Sequence, residues 1–171
     1  MKNLSEISGV LRRLNRNTRR GWLYFEVVID LFSRRVVGWS LANHMKTQLV
    51  LSALQMALSQ RVPKSGMVLH SDRRVQYASK EYRKVLKAHG IQCNMSRKGD
   101  FWGNAVSQSF FAPLEKEWVQ DDIWIGHDQA CLMIAEYIEV FYNRQRNHSY
   151  PDYQSQVEYE RNYEQKLMKA A

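Results

Sequence analysis

Three stretches of this 171-residue chain carry residue types able to do chemistry. The tripeptide His70, Ser71, Asp72 closes a short apolar run. A carboxylate at the end of a buried strand projects into the cleft beside a sheet edge, where hard oxygen ligands take divalent cations. A turn or helix cap is the competing role for Asp72, because aspartate is common in turns. The second stretch, 143–149, gathers Asn143, Arg144, Arg146 and His148 behind a long apolar-periodic segment. It reads either as a phosphate-contacting loop or as a solvated helix end whose cations suit the helix dipole. The third holds Arg12, Arg13, Arg16, Arg19 and Arg20 around Asn15 and Asn17. A flexible arm touching phosphate and a solvated loop both fit it. Five Trp and nine Tyr offer faces on which bases stack, although most such rings fill cores and rims.

The charge balance supports an anionic partner. Lys and Arg total 25 against 17 Asp and Glu, a formal net charge of +8, and nucleic acid is the commonest partner of so basic a domain. Cys93 and Cys131 supply neither a disulfide framework nor metal-ligand spacing; each reads as a small buried hydrophobe. No apolar run approaches the roughly 20 residues of a membrane span, and the region after Met1 lacks an apolar signal core. These features point to a reduced, cytoplasmic protein with no membrane partner.

The elements that must position these residues follow from periodicity. WLYFEVVID at 22–30 is aromatic and β-branched, which predicts a strand. Leu23, Phe25, Val27 and Ile29 share one face and Trp22, Tyr24, Glu26, Val28 and Asp30 the other. LFSRR reads as a turn and VVGWSL as the returning strand of an antiparallel hairpin. Residues 46–60 repeat apolar positions at Leu49, Val50, Ala53, Leu54, Ala57 and Leu58, the spacing of an amphipathic helix. MVLHSD is a short strand. A helix over 79–89 has Ser79 as N-cap and Gly90 as its stop. IQCNMS is another strand and SRKGDFWGN a loop. Helical spacing then runs through 104–119, interrupted by Pro113, through 127–143, and through a charged helix at 155–169. Strands grouped early, with helices between and after them, predict one α/β domain with a mixed sheet flanked by helices.

Four long blocks carry a family likeness: GWLYFEVVIDLFSRRVVGWSL, HSDRRVQYAS, MSRKGDFWGNAVSQSFFAPLEKE and YIEVFYNRQRNHSY. In order and spacing, over about residues 21–160, they resemble the OrfB-type transposases of insertion sequences, within the retroviral-integrase-like superfamily. The resemblance implies a ribonuclease-H-like fold with a central five-stranded mixed sheet flanked by helices. Residues 1–20 would be a basic segment with a degenerate first strand, 21–160 the integrase-type core and 161–171 a terminal helical tail. It implies DNA strand cleavage and transfer by three carboxylates that hold two divalent cations, Mg²⁺ or Mn²⁺. The second carboxylate falls on Asp72. The third falls on Gln108, which keeps the shape of glutamate and loses its charge. The nearest match to the first is Glu6. Glu115, seven residues beyond Gln108, lies roughly 10 Å further along a helix and is no substitute. Arg74 and Val75 stand where the family has Gly and Ser, and Gly103 where it has Asp. Loss of that glycine predicts an altered turn beside Asp72, and Pro113 predicts a kink past Gln108. Arg73, Arg97, Lys98, Arg144, Arg146 and His148 are the cations assigned to DNA. The implied partners are DNA and a second copy of the chain in a homodimer. The departures cluster at the centre while the scaffold blocks stay close to the pattern. They predict either an impaired strand transferase or an inactive module that binds DNA or dimerises.

Overall fold

The computed structural model describes residues 9–18, 21–63, 66–71, 75–95, 101–118, 127–147 and 153–170. Strand β1 spans Gly9–Thr18, β2 Gly21–Asp30 and β3 Val36–Ala42. Helix α1 (Thr47–Gln60) leads to β4 (Val68–Ser71), a short 3₁₀ turn (Val75–Ala78), α2 (Lys80–Ala88) and β5 (Gln92–Met95). Helices α3 (Phe101–Pro113), α4 (His127–Ala135) and α5 (Gln156–Ala170) complete the described elements. The strands hydrogen-bond in the order β3-β2-β1-β4-β5. β1, β2 and β3 form an antiparallel meander, and β4 and β5 add in parallel on the other side of β1.

Strand β2 shows why both faces of the sheet are covered. Its residues Leu23, Phe25, Val27 and Ile29 pack with Val106, Phe110 and Leu114 from the α3 region and with Ala130, Ile134, Tyr137 and Ile138 from the α4 region. Val28 faces the opposite layer with Val50, Ala53, Leu54 and Ala57 of α1 and Tyr82 and Leu86 of α2. Burial of each such Leu, Val, Ile or Phe side chain contributes roughly 1.5–3 kcal/mol. Gly38 on β3 lets α1 approach the sheet: a Cβ there would land on the Ala53 carbonyl oxygen and 2.7 Å from Ala57 N.

The helix limits follow local chemistry. Ser79 Oγ accepts from Tyr82 N at 3.2 Å, capping α2, which is worth about 1 kcal/mol. Gly90 takes φ +66° just past its end, the left-handed stop that glycine allows. Helix α3 starts at Phe101, inside the stretch read as a loop, and Pro113 does not end the helical run. The proline has no N–H to give to the α ladder, and the chain widens into a π-helical turn over Leu114–Trp118. A second π-helical segment, Glu136–Tyr142, continues α4.

The basic stretch around Arg12, read as an arm or a solvated loop, is strand β1. Its Gly and Asn content is poor for a strand. Pairing overrides that preference, because β1 lies between two partners, with Leu11 opposite Val28 of β2 and level with Ser71 of β4.

Candidate functional site

Strand β4 ends at Ser71, the residue before Asp72, beside β1. β1 and β4 run parallel in the register Gly9 with Leu69, Val10 with His70 and Leu11 with Ser71. Ser71 is buried, and its hydroxyl lies 3.7 Å from Cys93 Sγ on β5. Helix α3 packs across β1. Its buried side is Val106, Phe110 and Phe111, whereas Gln108 is exposed. Gln108 and its neighbours Ala105 and Ala112 thus lie on the open side of α3.

Several expected site residues, Asp72, Glu6, Arg73, Arg97, Lys98 and His148, lie outside the described residues. Of the other expected DNA contacts, Arg144 is exposed. Arg146 is half-buried, with its guanidinium carbon 5.9 Å from the Phe141 ring centroid, a cation–π contact. Among the described residues no group of three or more His, Cys, Asp or Glu is placed to hold a metal ion.

Three polar arrangements had no signal in the sequence. Asn143, in the stretch read as a phosphate loop or a solvated helix end, is buried. Its Oδ1 accepts from Val36 N and its Nδ2 donates to Val36 O, both at 3.0 Å. An asparagine amide, like that of glutamine, offers donor and acceptor in the spacing of a peptide group. Glu26, on β2, is fully buried and accepts from Tyr77 Oη at 2.5 Å. It sits in the strand face expected from alternation, but the tyrosine that meets it lies 51 residues away. Glu160 of α5 pairs with Arg35 at 3.0 Å and with Arg61, and Arg61 stands 3.9 Å from Asp30.

Burial shapes the titration of this region. Asp30 Oδ1 accepts from Phe32 N at 2.8 Å and Ser33 N at 3.4 Å. Desolvation nevertheless dominates and raises its carboxyl above the ordinary aspartate range, against the lowering effect of those amides and of Arg61. Burial likewise pushes the Tyr82 and Tyr142 phenols up. Asp30 therefore serves the β2–β3 turn.

Comparison with known proteins places these features in a common frame. A family model described as Integrase core domain matches residues 13–100, and a second of the same description matches 108–163. The transposase for insertion sequence element IS904 of Lactococcus lactis is 38% identical over 144 residues, 84% of this chain and 57% of that protein. Transposase InsF for insertion sequence IS3A of Escherichia coli is 43% identical over 133 residues, 78% of this chain and 46% of that protein. The chain thus spans about half the length of these curated relatives. In fold it is similar to the HTLV-2 integrase catalytic core domain solved with magnesium in a dimeric form. That match has a TM-score of 0.65 and 13% identity and covers 92% of this chain and 97% of that one. The catalytic core domain of BIV integrase matches with a TM-score of 0.60 and 16% identity, over 96% of this chain and 99% of that one.

Proposed function

The chain belongs to the integrase-core family that includes insertion-sequence transposases, and we propose that it is a DNA strand-transferase core whose catalytic centre is impaired. The observation that carries the impairment is Gln108: it stands exposed on α3 at the position where the resemblance calls for the third carboxylate. Glutamine donates N–H groups that a cation repels, and loss of one catalytic carboxylate removes several kcal/mol of transition-state stabilisation.

The proposed fold is ribonuclease-H-like, supported by the strand order β3-β2-β1-β4-β5 with its antiparallel and parallel halves. Divalent Mg²⁺ or Mn²⁺ is the cofactor such a centre uses, and it would supply activation of the attacking oxygen and stabilisation of the leaving one. The residues at hand fit it poorly. β1 (GVLRRLNRNT), β4 (VLHS), β5 (QCNM) and α3 (FWGNAVSQSFFAP) contain no Asp or Glu at all. Asp72, next in sequence after β4, is the residue we assign to any metal affinity that remains. Glu6 precedes β1 and is the weaker assignment for a first carboxylate.

The partner we propose is DNA, held by Arg144 and Arg146 together with Arg73, Arg97, Lys98 and His148. A homodimer is proposed from the dimeric form of the HTLV-2 core. No helix among the described residues is long and apolar enough to cross a membrane, and a cytoplasmic site of action suits a protein that meets DNA. The second reading, an inactive DNA-binding or dimerising module, draws on the same Gln108.

A cleavage and strand-transfer assay on labelled duplex ends in Mg²⁺ or Mn²⁺ tests the proposal. We expect the native chain to leave the duplex uncut. Metal-dependent cutting that Asp72→Asn abolishes would refute the impairment. Failure to retain duplex DNA at low salt would refute the DNA partner.

A further inference from the structure

We propose that the end of β4 beside β1, on the α3 side of the sheet, is a phosphodiester-binding site in this chain and not a divalent-metal site, with Arg12 holding the position that a first carboxylate would need. The proposal rests on the DNA-binding part of the function proposed above and deepens it.

The argument starts from register. Leu11 of β1 is level with Ser71, the last residue of β4. A β1 residue that shares a cation with a group just past the end of β4 must therefore sit at Leu11 or within one or two residues of it. Strands advance about 3.3 Å per residue and stand about 4.8 Å apart, so positions further off fall outside the reach of one ion. The residues in that window are Gly9, Val10, Leu11, Arg12 and Arg13, and of these the two arginines alone have polar side chains. Glu6 is six residues before Arg12, up to about 20 Å of extended chain.

The antiparallel partner then separates the two arginines. Arg12 is paired with Val27 and Arg13 with Glu26. Val27 packs in the layer with Val106 and Phe110 of α3, while Glu26 lies buried against Tyr77, which belongs to the opposite layer. The ladder position of Arg12 is thus on the face of the sheet that α3 covers, and Gln108 is carried on the exposed side of that helix. Two of the three positions for metal-binding carboxylates hold an arginine and a glutamine. A divalent cation needs anionic oxygens to offset its charge, and this pair offers none. Arginine and a glutamine amide are instead donors matched to phosphate oxygens. Neither donor depends on a metal ion.

The test uses the whole chain, a fluorescein-labelled DNA duplex of arbitrary sequence, and Mn²⁺ alone as the metal probe. Duplex affinity is read by anisotropy in Mg²⁺ and in chelator at matched ionic strength, and Mn²⁺ binding by calorimetry. The native chain should bind duplex at least as tightly in chelator as in Mg²⁺ and give no saturable Mn²⁺ heat. Arg12→Asp should weaken duplex binding about tenfold and lower the salt slope by about one. Saturable Mn²⁺ binding should emerge in the double variant Arg12→Asp/Gln108→Glu and in neither single variant. Circular dichroism follows folding, and Arg12→Gln, which keeps a donor and loses the charge, replaces Arg12→Asp in the DNA arm if the latter fails to fold. Saturable Mn²⁺ binding by the native chain overturns the proposal and leaves the strand-transferase reading standing. Unchanged duplex affinity in the Arg12 variants overturns it and leaves the DNA partner standing. No duplex binding by the native chain overturns both.

Discussion

Replacing Asn143 with alanine separates the architectural from the DNA-facing content of the stretch 143–149. The Asn143 amide makes two buried bonds of 3.0 Å to the same residue, one to each backbone group of Val36. Alanine removes both partners at once. Each buried backbone group left unpaired costs about 1–3 kcal/mol, so the loss should be about 2–6 kcal/mol, reduced wherever water reaches the vacated space. Single domains hold only about 5–15 kcal/mol in total, so the variant should unfold at markedly lower urea. Urea melts followed by tryptophan fluorescence and far-ultraviolet dichroism give the change in midpoint at constant slope. Arg144→Ala is the control: Arg144 is exposed, so its loss should leave stability within about 0.5 kcal/mol and act on duplex affinity alone. A melt of Asn143→Ala that matches the native chain within that margin would refute the clamp. Equal stability loss in Arg144→Ala would refute the division of labour.

Two further outcomes follow from the packing and the charges. Gly38→Ala places a methyl on the Ala53 carbonyl oxygen and against Ala57 N, both backbone groups of α1 that cannot rotate away; it should cost about 1–3 kcal/mol, and a thermal melt unchanged from native would contradict the close approach of α1 to β3. Asp30 is raised in the folded protein, so its charged form is disfavoured by folding. The penalty is full above the folded value, shrinks as pH falls through it and is gone below the unfolded value. Asp30→Asn keeps an oxygen for Phe32 N and Ser33 N, so it should stabilise the chain at neutral pH relative to native and lose that advantage in acid. An advantage that instead grows toward low pH would reverse the sign assigned to Asp30.

Much of the scaffold was legible because local chemistry and burial agree. The alternation of Leu23, Phe25, Val27 and Ile29 predicts the strand face that α3 and α4 cover, and the spacing of α1 names its buried residues. Ser79 and Gly90 bracket α2 as capping chemistry requires. Strand β1 was hidden from periodicity, and expected within residues 1–20 by the family likeness alone, because its arginines and asparagines carry no β signal of their own and its two neighbours make it a strand. The π-helical turns after Pro113 and Ala135 have no pattern that separates them from an α-helix. In the site, the loss of charge at Gln108 is plain in the residue itself. The level of β1 against β4 is a property of the sheet, and no spacing along the chain gives it. Asn143 and Glu26 escaped for the same reason: their partners, Val36 and Tyr77, are distant in sequence.

The place of β1 in the sheet also constrains how the fold assembles and how it can change. It lies third of five, with β3 and β2 on one side and β4 and β5 on the other. Its pairing with β2 begins with Thr18 opposite Gly21, three residues on, whereas its pairing with β4 joins Leu11 to Ser71, sixty residues on. Local pairs form quickly and distant parallel pairs slowly, so the meander β1-β2-β3 should precede the docking of β4 and β5. Until that happens, the free edge of β1 is exposed backbone ready to pair with another chain, and its arginines supply the like-charge repulsion that discourages such pairing. Deletion of β1 would not trim a basic fringe; it would cut the sheet into two two-stranded pieces, each marginal alone. Charge in this strand can be altered residue by residue, but the strand itself cannot be dispensed with.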